Sequence, residues 1–172
     1  MKRIILFLLV LLSITTFTSC SAYNSRLSKS NIDFYYLRSS VIYNEEDGMI
    51  CAEKRSVVES PSDDAWTELI NLYLKGPDDD KYISPFPVGT ELKQYSVDGE
   101  TLTVILNNQI SQLKGYDLTL ACACLAKTIL EIKPVHAVEI RAEGGRMGDF
   151  ISVTMTEDNL LMLDNYSASQ ID

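Results

Sequence analysis

The spacing of apolar residues along this chain changes several times, and each change marks an element. Lys2 and Arg3 precede an unbroken apolar run over residues 4–12. Even extended to Phe17 it falls short of the roughly 20 apolar residues that a bilayer-spanning helix needs. A basic start, an apolar stretch and the small residues Thr18 and Ser19 form instead a secretory leader over residues 1–19. Residues 21–31 are polar and aperiodic and read as a tether.

From Ile32 the pattern becomes that of a folded domain. Residues 32–42 are rich in aromatic and β-branched side chains, as strands are. The turn signal Asp47-Gly48 and a second run over 49–58 complete a hairpin, with Glu53, Lys54 and Arg55 at its exposed positions. Ser60 can cap a helix, Pro61 suits its first position, and Asp63 and Asp64 complement its positive end. Trp66, Leu69, Ile70 and Tyr73 follow at helical spacing, and Gly76-Pro77 stops the helix. Pro85 and Pro87 fix the backbone and turn Phe86 towards the core. Residues 92–97 and 100–106, joined by Asp98-Gly99, form a second hairpin that pairs Val97 with Glu100 and Tyr95 with Leu102. Its apolar face would be Tyr95, Val97, Leu102, Val104 and Leu106.

Asp117 can cap a helix over 118–132 that is apolar almost all round, as a helix buried against a sheet would be, and Pro134 closes it. Residues 135–142 and 150–155 alternate as strands about the Gly144-Gly145 turn. Leu160 to Leu163 would pack on the domain. The sum predicts an α+β domain over residues 32–160: one small sheet built from hairpins with two helices on it, in the order β-β-α-β-β-α-β-β. Residues 161–172 are left as a tail.

Charge narrows the partners. The formal charge of −9 includes Lys2 and Arg3, so removing the leader takes it to −11. Such a surface is repelled by nucleic acid, and no nucleic-acid partner is expected. Of the four cysteines, Cys122 and Cys124 sit two apart in a helix, where they cannot bridge, and serve as small apolar filler. Asp78, Asp79 and Asp80 lack the alternate spacing of a calcium loop and read as a solvated acidic loop. A thiol hydrolase would need Cys51 beside His136, the one histidine, with a third orienting group. The Gly144-Gly145-Arg146 turn could meet an anion through its amides, or be an ordinary hairpin turn.

Two family resemblances extend this reading. Phe17-Thr18-Ser19-Cys20 resembles the lipobox of bacterial lipoproteins, which implies a diacylglycerol on Cys20 and residues 20–31 as a lipidated tether. The segments Leu72-Tyr73-Leu74-Lys75-Gly76-Pro77 and Ser84-Pro85-Phe86-Pro87-Val88-Gly89-Thr90, with Gly99-Glu100-Thr101-Leu102-Thr103-Val104-Ile105-Leu106, resemble the GerMN (germane) domain of sporulation and spore-germination lipoproteins. There is room here for one such domain. The resemblance implies an extracytoplasmic protein held at the membrane by its lipid, with no catalytic site, no cofactor and no metal. Envelope proteins or cell wall would be its partners, bound at residues that remain open, and the likeness to ring-building domains leaves self-association open as well. The acidic loop and any exposed sheet edge are candidate surfaces. The alternative reading is an extracytoplasmic domain that binds a small ligand or cation.

Overall fold

A computed structural model of the chain describes residues 31–39, 48–57, 64–132 and 135–164, the last four as backbone. The leader, Cys20, most of the tether, the first hairpin's turn, Ser60, Pro61, Pro134 and the final eight residues lie outside the described residues. Strand β1 (Asn31–Arg38) pairs antiparallel with β2 (Ile50–Ser56), as expected. The short strand β3 (Tyr82–Ile83) lies on the other side of β1, opposite Leu37 and Arg38. A second sheet holds β4 (Leu92–Asp98), β5 (Thr101–Leu106), β6 (Ala137–Ala142) and β7 (Ser152–Thr156), in that order. The helices are α1 (Ala65–Leu74), α2 (Gly115–Leu130) and α3 (Glu157–Asp164), and a 3-10 turn, Asn108–Gln112, precedes α2.

The α+β class and the alternation of hairpins with helices hold. The strands, however, form two sheets where one was expected. A hairpin series alone cannot account for β5 and β6, which are neighbours and run parallel. A parallel pair needs a crossover, and α2 supplies it. The third helix also crosses the expected boundary after residue 160, with Leu160 buried.

Helix α2 explains the division. It packs on β1 of one sheet and on β6 and β7 of the other. An α-helix flanked on two sides has no broad face left for polar residues, which is why Leu118, Leu125 and Ile129 and its three alanines and two cysteines are all buried. Cys122 and Cys124 form no disulfide, and burial pushes the Cys122 thiol up to about 12. The helix starts at Gly115 after Lys114, which makes no side-chain cap, so Asp117 lies in the first turn instead of at the cap. There it still faces the positive end of the dipole.

The one buried hydroxyl of α2 closes a sheet edge. Thr128 Oγ1 accepts the Tyr35 backbone N–H at 2.9 Å, and the Tyr35 carbonyl accepts the Tyr73 hydroxyl at 3.0 Å. Two helices thus satisfy the stretch of β1 that β3 is too short to cover. Thr128→Val keeps the shape and leaves that amide unpaired, so we expect a loss of about 1–3 kcal/mol in urea unfolding. An unchanged midpoint would mean the amide finds another partner.

Helix α1 buries Trp66, Leu69, Ile70 and Tyr73, the face expected from their spacing. Its cap is Asp64, not Ser60: the Asp64 carboxylate accepts the Thr67 N–H at 3.3 Å, and the Thr67 side chain, foremost, holds its carboxyl below the usual range. Gly76, at φ +90°, closes the helix by donating to the Tyr73 carbonyl at 3.0 Å. In the second hairpin the loop is Gly99-Glu100, so Val97 faces Leu102 and Tyr95 faces Val104. Gly99 sits at φ +57° in the first loop position, where the turns that match strand twist need a positive φ. The register differs from the expected one by two residues, which leaves the same side chains on one face. Leu102, Val104 and Leu106 are buried, whereas Val97, on the edge strand, is 42% exposed.

Candidate interaction surface

Residues directly opposite in a ladder share a face. Ile32, Phe34 and Tyr36 point into the core, and their partners on β2 are Arg55, Glu53 and Cys51. Glu53 and Arg55 are therefore inward, each 7% exposed, and only Lys54 of the three lies outward as expected. Alternation alone could have revealed this; their charge argued the other way.

A buried pair persists when its lone pairs and protons are satisfied. Here Arg55 Nε lies 2.6 Å from Glu53 Oε2, and Arg55 Nη2 donates to the Gly76 carbonyl at 2.7 Å and meets Asp78 Oδ1 at 3.2 Å. Its guanidinium lies 5.3 Å from the centre of the Phe34 ring and 5.6 Å from that of Tyr36. Glu53 Oε1 accepts the backbone N–H groups of Asp78 and Asp79 at 2.9 and 2.8 Å. The acidic loop, expected to be merely solvated, is thus hung by its backbone from a buried ion pair.

Its carboxylates stay largely in water as expected, with Asp78 and Asp80 exposed and Asp79 half-buried. Asp79 Oδ1 accepts the Lys81 N–H at 2.9 Å, and this bond holds the Asp79 carboxyl below its usual range. Among the described residues no three His, Cys, Asp or Glu side chains are grouped to hold a metal ion. The proline-rich segment that follows is equally fixed. Phe86 is buried, edge-on to Tyr73 at 6.1 Å, and Tyr73 stacks on Tyr36 at 4.9 Å. Thr90 donates its hydroxyl to the Pro87 carbonyl at 2.7 Å, and the Asn107 amide holds the Gly89 carbonyl at 2.7 Å.

The candidate thiol and imidazole are kept apart. Cys51, on β2, donates to the Tyr36 carbonyl at 3.6 Å, and burial raises its thiol pKa. His136 sits just before β6 in the other sheet, half exposed, with Nε2 3.8 Å from Glu100 Oε1. Each has its own partner, and the two belong to different sheets. The Gly144-Gly145 turn is also spoken for. Gly144 donates its N–H to Asn108 Oδ1 at 2.8 Å and Gly145 to the Ala142 carbonyl at 2.9 Å. Those amides belong to an ordinary turn, not to an anion site.

What faces outward is apolar in one place. Met49, Tyr116, Phe150 and Ile151 are 40–70% exposed. The Tyr116 hydroxyl reaches Met49 Sδ at 3.6 Å, and Gly148 lies against Leu113 and Lys114. The hairpin end of β1–β2, the start of α2 and the segment before β7 therefore meet at one end of the domain. Sequence spacing could not find this group, because its members come from three separate stretches of the chain.

The fold has known relatives. It is similar to the first GerMN domain of the sporulation protein GerM from Bacillus subtilis, with TM-score 0.54 and 14% identity, covering 70% of this chain and 90% of that one. It is also similar to the tandem GerMN domains of that protein, with TM-score 0.52 and 19% identity over 66% of this chain. The chain spans 39% of the tandem structure. A search of curated protein sequences gives no match. The family model Germane, described as sporulation and spore germination, matches residues 33–148, well over half of the chain. That span takes in the Tyr73 helix end, the Phe86 loop and the second hairpin, and the chain belongs to the Germane family.

Proposed function

We propose that this chain is an extracytoplasmic lipoprotein, anchored through Cys20, whose Germane domain binds protein or cell-wall partners in sporulation, spore germination or envelope assembly. The family match over residues 33–148 carries the reading. The leader and the Phe17-Thr18-Ser19-Cys20 segment support the anchor. The separation of Cys51 from His136 supports a binding role over thiol hydrolysis, which needs the two within hydrogen-bond reach.

A palmitate analogue fed to cells should label the wild-type chain and leave Cys20→Ala unlabelled. Cys51→Ser and His136→Ala, made separately, should fold and support sporulation or envelope integrity as the wild type does. Equal labelling of Cys20→Ala would remove the anchor from the proposal. A deletion-like phenotype from either of the other two folded variants would replace binding by chemistry.

A further inference from the structure

Of the methionines whose side chains are described, one reaches the surface. Met49 is 40% exposed, whereas Met147 and Met155 are 0% and 5% exposed. Peroxides convert an accessible thioether to a sulfoxide, and burial shields it. The described thiols compete poorly, because the thiolate is the form that reacts. Cys122 and Cys124 are fully buried, and burial raises the pKa of Cys51 and of Cys122. Oxidation therefore falls first on Met49.

The surroundings of the sulfur decide the consequence. Methionine oxidation usually disrupts packing, since a flexible apolar side chain becomes a polar one. At Met49 a donor is already in place: the Tyr116 hydroxyl lies 3.6 Å from Sδ. A thioether is a weak acceptor, so this bond contributes little to the reduced protein. A sulfoxide oxygen is a stronger acceptor. Added on the Tyr116 side, it stands between the two atoms. A hydroxyl bond of about 2.7 Å to it, bent at that oxygen, spans the present separation. The oxidised side chain thus keeps its partner without movement of either backbone. The Met49 carbonyl accepts the Arg38 N–H at 2.9 Å, and Tyr116 lies in the first turn of α2. The contact therefore joins the first hairpin to the helix that separates the two sheets.

We propose that Met49 is a site of reversible oxidation by peroxides, and that the Tyr116 hydroxyl takes the new oxygen as its acceptor, so that the contact survives oxidation. The sulfur lone pair attacks one oxygen of hydrogen peroxide. An S–O bond forms as the O–O bond breaks, and the second oxygen leaves as water. Sulfur loses the two electrons that the peroxide gains. Methionine sulfoxide reductases reverse the step, with a dithiol oxidised to a disulfide and the oxygen released as water.

The test adds hydrogen peroxide to the folded full-length chain and follows each methionine by peptide mass mapping. Met49 should oxidise on the order of tenfold faster than Met147 and Met155. The thermal midpoint of the oxidised wild type should not fall, that of oxidised Tyr116→Phe should fall, and that of peroxide-treated Met49→Leu should not move. Methionine sulfoxide reductases with a dithiol should restore the mass, and in Tyr116→Phe the midpoint as well. Four results would each overturn the proposal: Met147 or Met155 reacting as fast as Met49, an equal fall in the wild type and Tyr116→Phe, a fall in Met49→Leu, or an added oxygen that the reductases leave in place.

Discussion

Arg55→Ala lowers the stability of the domain by about 3–5 kcal/mol, because it leaves Glu53 charged, buried and without its cation. The same substitution releases the Gly76 carbonyl and Asp78 and uncovers the faces of Phe34 and Tyr36. Removing both charges in Glu53→Gln with Arg55→Met should recover a large part of that loss, since neutral partners of similar volume carry no desolvation penalty. The non-additivity is the diagnostic result, because groups in one network couple and distant ones do not. Urea unfolding of the two single variants and the double variant measures it. Additive single effects below about 1 kcal/mol would mean that water reaches the pair and that it behaves as a surface salt bridge. Added salt should change the wild-type stability little, since buried pairs are poorly screened.

Tyr73→Ala should cost about 3–5 kcal/mol, the range for truncating a fully buried aromatic. Tyr73 is where three parts of the fold meet. Its ring stacks on Tyr36 and lies edge-on to Phe86, and its hydroxyl holds the Tyr35 carbonyl. Tyr73→Phe keeps the ring and loses only that bond, so its expected cost is the smaller one of about 1–3 kcal/mol. Thermal and urea unfolding of the two variants separate packing from hydrogen bonding. Equal losses would place the contribution of Tyr73 in its hydroxyl and refute the packing account.

These two residues also show how far a linear pattern carries. Tyr73 was placed in the core by helical spacing alone, and Phe86 by the prolines around it; both readings hold because period and backbone restriction are local properties. The caps were misplaced by a few residues in each helix. Ser60 and Asp117 are both good cap residues, and the choice among neighbouring candidates depends on where the preceding chain is held. The second hairpin had the right face and the wrong register, since a two-residue slip preserves side-chain parity.

Glu53 and Arg55 failed for a different reason. Their burial depends on partners that lie twenty-odd residues away in the chain, the carbonyl of Gly76 and the amides of Asp78 and Asp79. No local rule anticipates that a charge will find such company. The exposed apolar residues Tyr116, Phe150 and Ile151 are hidden in the same way, as they stand in distant stretches of the chain.

By its own pattern the chain declared an α+β unit, a second helix apolar almost all round, the core face of the first helix and the family segments around Tyr73 and Phe86. Periodicity and backbone chemistry act over a few residues, so they can be read in order along the chain. Tertiary structure alone decided that α2 separates two sheets, that β5 and β6 run parallel, and that an ion pair is buried beneath the acidic loop. Each of those depends on which distant groups come together, and that is settled by packing and by the need to satisfy buried polar atoms.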